Sequence, residues 1–146
     1  MSDFRKLTEK MWASPQVTAE DIVDAAQQGV TLLINNRPDN EEEGQPQSDE
    51  IGAAATAHGM AYVAIPVGHA GFGDAQVKAM ADALDATDGK VMAYCRSGTR
   101  STFLWALAQA SRGEDPAQLV QAAQGAGYDI SPIAPTLQML AAKARD

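Results

Sequence analysis

Apolar and polar positions come in blocks along the chain, and the block lengths separate strands from helices. Short apolar runs fall at residues 30–34, 61–67 (broken at Pro66) and 90–94. Each is too short for a helix and reads as a buried strand. Residues 10–13 read as a short edge strand ahead of Ser14-Pro15. The segments between them carry a helical period. Thr18 opens a helix: Asp21, three residues on, completes a capping-box arrangement, Ile22, Val23 and Ala26 form the apolar stripe, and Gly29 ends it. Ser48 starts a second helix that ends near His58-Gly59. A third covers residues 74–86, with Val77, Met80, Ala81 and Leu84 on one face, and a fourth covers 100–111 with one apolar face. Two more are predicted at 116–124 and 132–144. Residues 35–47 are polar and hold Pro38, Gly44 and Pro46, and residues 68–73 are glycine-rich; both read as loops.

Strands that alternate with helices predict one α/β domain over residues 1–146, with a mostly parallel central sheet and helices on both faces. Strands covered on both faces are continuously apolar, as these are. Ligands of such sheets bind beyond the carboxyl ends of the strands. Three stretches lie there: Asn35-Asn36-Arg37, residues 66–68, and Cys95 onward.

Composition narrows the function classes. The chain is 45% hydrophobic and 21% charged, enough apolar material for a core without disulfides, and Cys95 is its only cysteine. A lone cysteine suits a reducing cytoplasm or a reactive thiol. The first ten residues have no apolar centre, so no secretory leader is expected, and no run approaches the roughly 18 apolar residues of a membrane span. A net charge of −8 argues against nucleic acid and anionic membranes as partners. Any anion site must therefore be built locally. His58, His69 and Cys95 are widely separated, and Gly125-Ala126-Gly127 follows a helix, so neither a metal nor a cofactor is expected.

The chemistry concentrates in Tyr94-Cys95-Arg96-Ser97-Gly98-Thr99-Arg100-Ser101. A buried strand runs into Cys95, and a helix begins a few residues later. Amides at a helix start are unpaired within the helix and carry partial positive charge, so a tight loop there makes an anion nest. Gly98 allows a backbone shape that a Cβ obstructs. The nest favours the thiolate form of Cys95 and holds an anionic group against it. Arg100 adds a planar clamp, Arg96 a second positive charge, and Ser97, Thr99 and Ser101 offer hydroxyls.

This octapeptide resembles the active-site loop of rhodanese-type sulfurtransferases. The wider chain, with strand ends at Ile34-Asn35-Asn36-Arg37 and Ile65-Pro66-Val67, looks like dual-specificity protein tyrosine phosphatases. It is most similar to a bacterial family of phosphatase-like domains, found alone or fused to a metallo-β-lactamase-fold hydrolase and labelled both sulfurtransferase and phosphatase. The resemblance covers residues 7–140. It implies a cysteine-phosphatase-like fold, Cys95 as nucleophile, Arg100 closing the cradle, and a metallo-β-lactamase-fold hydrolase as a partner. The phosphatase signature has five residues between Cys and Arg; this chain has four, with Ser101 where the phosphatases place Arg. The shorter loop matches the sulfurtransferases. The first expectation is therefore transfer of sulfane sulfur from thiosulfate or a persulfide to a thiol acceptor through a Cys95 persulfide. The alternatives are a cysteine-dependent phosphatase with a phosphocysteine intermediate, and an inactive anion-binding module.

A phosphatase also needs a general acid for its leaving group. Asp39, after the 30–34 strand, and His69, in the glycine-rich loop, are the candidates; Asp74 reads instead as a first-turn helix residue. The weakness of these candidates also points to sulfur transfer. Arg37 either pairs with nearby acids such as Asp39 or Glu41 or reaches the anion site. Glu41-Glu42-Glu43 reads as a solvated loop, since overhanging Cys95 would repel anionic substrates.

Overall fold

The computed structural model describes residues 2–145. Twelve elements follow in order: β1 (Arg5–Lys6), β2 (Met11–Ser14), α1 (Ala19–Gln27), β3 (Val30–Asn35), α2 (Ser48–Ala57), β4 (Ala61–Ala64), α3 (Asp74–Asp85), β5 (Lys90–Tyr94), α4 (Thr99–Ser111), α5 (Pro116–Gly125), a 3-10 turn (Ser131–Ile133) and α6 (Ala134–Arg145). The sheet order is β1-β2-β5-β3-β4. All neighbours are parallel except β1 and β2. The expected α/β architecture is present, and β5, which delivers Cys95, is the central strand.

Alternation along the strands sorts side chains onto two faces. Met11 and Ala13, Leu32 and Ile34, Val91 and Ala93 face a core closed by Met80, Leu104, Leu107, Leu119 and Leu137 of α3 to α6. Trp12, Leu33, Met92 and Tyr94 face a second core closed by Ile22 and Ala25 of α1 and Ile51 and Ala55 of α2. Val30 joins Leu33 on that face although three residues apart. A register shift between Val30 and Leu32 reconciles the two, because an extra residue resets the alternation.

Three expectations need correction. The strand read at residues 10–13 is Met11–Ser14, and it is not an edge: two-residue β1 covers it. The strand read at 61–67 stops at Ala64. The chain then leaves the sheet to bond Asn35 O and Asn36 O through the N–H groups of Ile65 and Val67. The fourth helix has no solvent half: α4 buries Ser101, Thr102, Leu104 to Ala108 and Ala110, because α3, α5 and α6 surround it. The Thr18–Asp21 capping box forms with both bonds, at 3.2 and 2.9 Å. Among the described residues, no helix is long and apolar enough to cross a membrane.

Candidate active site

The cysteine loop is held at its base by neighbouring strand ends. Cys95 N–H donates to Ser14 O, and Arg96 O accepts from Gln16 N–H at 3.2 Å. On the other side Asn36 N–H donates to Tyr94 O at 2.8 Å, and the buried Asn36 amide donates to Ile65 O at 2.9 Å. The three strand ends singled out in the sequence therefore meet at one place.

Within the loop, Gly98 has φ +92° and caps α4. That left-handed turn directs its N–H to Cys95 Sγ at 3.0 Å. The first intrahelical bond of α4 runs from Thr102 N–H to Gly98 O, at 3.0 Å. The Arg100 and Ser101 amides precede it and so lack an intrahelical acceptor. Ser97 and Thr99 satisfy one another: Ser97 Oγ donates to Thr99 Oγ1 at 2.9 Å and accepts from Thr99 N–H at 3.3 Å. Ser101 is fully buried, and among the described residues its hydroxyl has no partner. A buried hydroxyl without a partner is costly. Cys95 itself is fully buried.

Three residues absent from the sequence reading shape this loop. Tyr128 Oη donates to Ser97 O at 3.0 Å, and burial pushes the phenol up to about 12, so it stays a donor. Arg5 lies over the Tyr128 ring, 5.2 Å from its centre, and bonds Ala126 O. Gln16 accepts from Arg37 Nη1 at 3.0 Å. No periodicity marks Tyr128, which follows Gly127 in a connection more than thirty residues from Cys95.

The acidic segment is not merely solvated; it lies over the loop. Arg100 Nη1 and Nη2 grip the two Glu41 carboxylate oxygens at 2.7 and 2.8 Å, and Nη1 also reaches Val67 O at 2.8 Å. Arg37, whose side chain is 2% exposed, donates through Nε to Glu41 at 3.0 Å and through Nη2 to Glu42 at 3.4 Å. Arg96 reaches Glu42 at 3.5 Å. The repulsion expected of an acidic overhang is absent because three arginines face it. Arg100, more than the burial that opposes it, holds the Glu41 carboxyl below its ordinary value, with Arg37 adding to the effect. Arg37 thus both pairs with acids and shares a carboxylate with Arg100.

A cavity of about 500 Å³ opens beside these groups, lined by Pro38, Asp39, Asn40, Glu41, Gly68, His69, Arg96 and Arg100. Asp39 and His69, from different loops, both reach it. Asp39 Oδ1 also accepts from Ser48 N–H at 2.7 Å, capping α2. His58 lies apart at the end of α2, its Nδ1 against Ala54 O at 2.9 Å. Among the described residues, no three His, Cys, Asp or Glu side chains cluster closely enough to hold a metal. The arrangement presents a buried thiol with an N–H on its sulfur, free helix-start amides, a guanidinium fork, and an aspartate and a histidine in the adjoining cavity.

Comparison with known proteins agrees with this architecture. A beta-lactamase hydrolase-like protein of Xylella fastidiosa is 34% identical over 125 residues, 85% of this chain. The relative from Agrobacterium fabrum is 34% identical over 108 residues, 74% of this chain. These stretches are only 29% and 25% of the relatives, so the chain spans less than a third of their length. A candidate phosphatase from Neisseria meningitidis, of known crystal structure, is 30% identical with a TM-score of 0.83, over 96% of this chain and 99% of that one. The kinase-associated phosphatase, 13% identical with a TM-score of 0.73 over 99% of this chain and 96% of that one, shares the fold. The model of the phosphatase-like domain of beta-lactamase hydrolase-like proteins matches residues 3–112, most of the chain, and the protein belongs to that family.

Proposed function

We propose that the protein is a cysteine-dependent phosphatase that hydrolyses phosphate monoesters through a phosphocysteine. The observation that carries this reading is that Asp39 and His69 line one cavity with Arg96 and Arg100. Want of a candidate acid beside the loop was a reason to favour sulfur transfer, and two candidates lining a cavity with Arg100 support the phosphatase instead. Family membership and the phosphatase strand order support the same choice.

In the first step the Cys95 thiolate attacks phosphorus. The P–S bond forms as the ester P–O bond breaks, and His69 or Asp39 gives its proton to the departing oxygen. The Arg100 guanidinium and the free amides of Arg100 and Ser101 neutralise charge on the equatorial oxygens. Water, giving up a proton to the same side chain, then attacks phosphorus and releases inorganic phosphate with the thiolate restored. His69 is the better acid, because Asp39 is also engaged in capping α2.

One observation favours a second reading. The loop is Cys, four residues, Arg, one shorter than the phosphatase signature, a length that suits a persulfide. On that reading the thiolate takes the sulfane sulfur of thiosulfate or a persulfide, its S–S bond forming as the donor's breaks and sulfite or a thiol leaves, and then passes that sulfur to an acceptor thiol, which restores Cys95. The test is steady-state release of phosphate from aryl phosphates by wild type, Cys95→Ser and His69→Ala. Release abolished in the first variant and reduced in the second supports the phosphatase. Absence of Cys95-dependent release, with sulfur transfer from thiosulfate intact, moves the assignment to the second reading.

A further inference from the structure

The anion seat above Cys95 is already filled, and its occupant is part of the chain. The Glu41 carboxylate takes two bonds from Arg100, at 2.7 and 2.8 Å, and a third from Arg37 Nε at 3.0 Å. This is the bidentate geometry by which a guanidinium holds a substrate anion. Arg37 is almost wholly buried, so the seat is built, not a chance surface pairing. Glu42 meanwhile holds Arg37 Nη2 and Arg96.

The segment that carries these carboxylates is shaped by bonds within itself. Gln45 donates to Pro38 O at 2.9 Å and accepts from Glu41 N–H at 3.0 Å. Gln47 donates to Asn40 Oδ1 at 2.6 Å, and Ser48 N–H donates to Asp39 Oδ1. Asn40 sits at φ +66° and turns the chain there. The side-chain bonds from Glu41 and Glu42 to the loop around Cys95 are the arginine pairs, so an incoming anion exchanges one set of charge-assisted bonds for another.

We propose that Glu41 is an internal competitive ligand of the anion seat, which a substrate anion must displace before it reaches Arg100. Glu41 is then a specificity determinant. A phosphate dianion, with more charge and more acceptor oxygens than a carboxylate, displaces it, whereas a small monoanion competes poorly. The inference rests on the anion seat of the proposed function, not on whether phosphorus or sulfur is transferred.

The test is calorimetric titration of inorganic phosphate into wild type, Glu41→Gln, Glu41→Ala, Glu43→Gln and Arg100→Ala, with folding checked by circular dichroism. Glu43 makes none of these contacts, and Glu43→Gln controls for the change in net charge. Both Glu41 variants should bind phosphate about tenfold more tightly than wild type, since freeing a mostly occupied site raises apparent affinity by the inverse of its free fraction. Glu43→Gln should change it by less than about twofold. Equal affinity in wild type and the Glu41 variants, with Arg100→Ala weakening it, overturns the internal-ligand inference and leaves the anion seat standing. Weaker binding in the Glu41 variants also overturns it and makes Glu41 a support for Arg100. No phosphate binding in any protein overturns both this inference and the seat on which it rests.

Discussion

The N–H of Gly98 donates to Sγ of Cys95 across 3.0 Å, and this bond exists because Gly98 adopts a left-handed conformation. A Cβ at Gly98 would run into the Tyr128 hydroxyl and approach the Ser14 carbonyl carbon at 3.3 Å. Gly98→Ala should therefore cost about 1–3 kcal/mol of stability and slow alkylation of Cys95. Chemical denaturation and iodoacetamide kinetics read the two effects. An unchanged midpoint with an unchanged alkylation rate would contradict the role given to this turn.

Tyr128 holds the same loop from outside, through its bond to Ser97 O at 3.0 Å. Tyr128→Phe keeps the ring and the Arg5 contact and removes only the donor. The expected loss is about 1 kcal/mol, the ordinary net value of a hydrogen bond whose acceptor is left behind. The substitution should also lower kcat more than it raises KM, because the backbone that faces the transition state is loosened. A fall in stability with wild-type kcat would make Tyr128 a structural residue only.

Much of this was legible in the sequence, and the failures have physical causes. The strands at Val30–Asn35 and Lys90–Tyr94, the Thr18 cap and the loop after Cys95 follow from local patterns that tertiary contacts reinforce. The strand at 61–67 was overextended because Ile65 and Val67 are as apolar as the strand before them, yet they bury their side chains from a loop in which Pro66 is exposed. The acidic segment was misjudged because a run of carboxylates shows its charge but not the arginines it will meet. The Arg37–Glu41 pairing, four residues apart in chain, was legible; the pairings of Arg96 and Arg100, more than fifty residues on, were not. Tyr128 had none, since its contact with residue 97 depends on how α5 packs.

The Glu41 carboxyl is held below its ordinary value of 4.5 by Arg100 in the folded chain. A lowered folded value gives stability that is fully present above the unfolded value and is lost as pH falls through the folded one. The stability difference between wild type and Glu41→Gln should therefore be constant from neutral pH down to about 5 and shrink below 4.5. Urea titrations across that range measure it. A difference that persists undiminished into strong acid would remove the ion pair from the account.

His69 and Asp39 make separable contributions on the phosphatase reading. His69→Ala should lower kcat on aryl phosphates by roughly 10²-fold or more, with less effect when the leaving group is a good one. Asp39→Ala should act mainly on stability, through loss of the acceptor it gives Ser48 N–H. If both variants keep wild-type kcat on poor leaving groups, neither is the acid.

The central claim is that Cys95 forms a covalent intermediate with the group it transfers. Intact-protein mass after rapid quench, following brief exposure to an aryl phosphate and, separately, to thiosulfate, measures this. The account predicts one added phosphoryl group on wild type with the aryl phosphate, absent in Cys95→Ser and lost as the substrate is consumed. One added sulfur from thiosulfate, without any phosphoryl adduct, would contradict the phosphatase assignment. No adduct from either donor, with turnover still proceeding, would contradict covalent catalysis by Cys95 altogether.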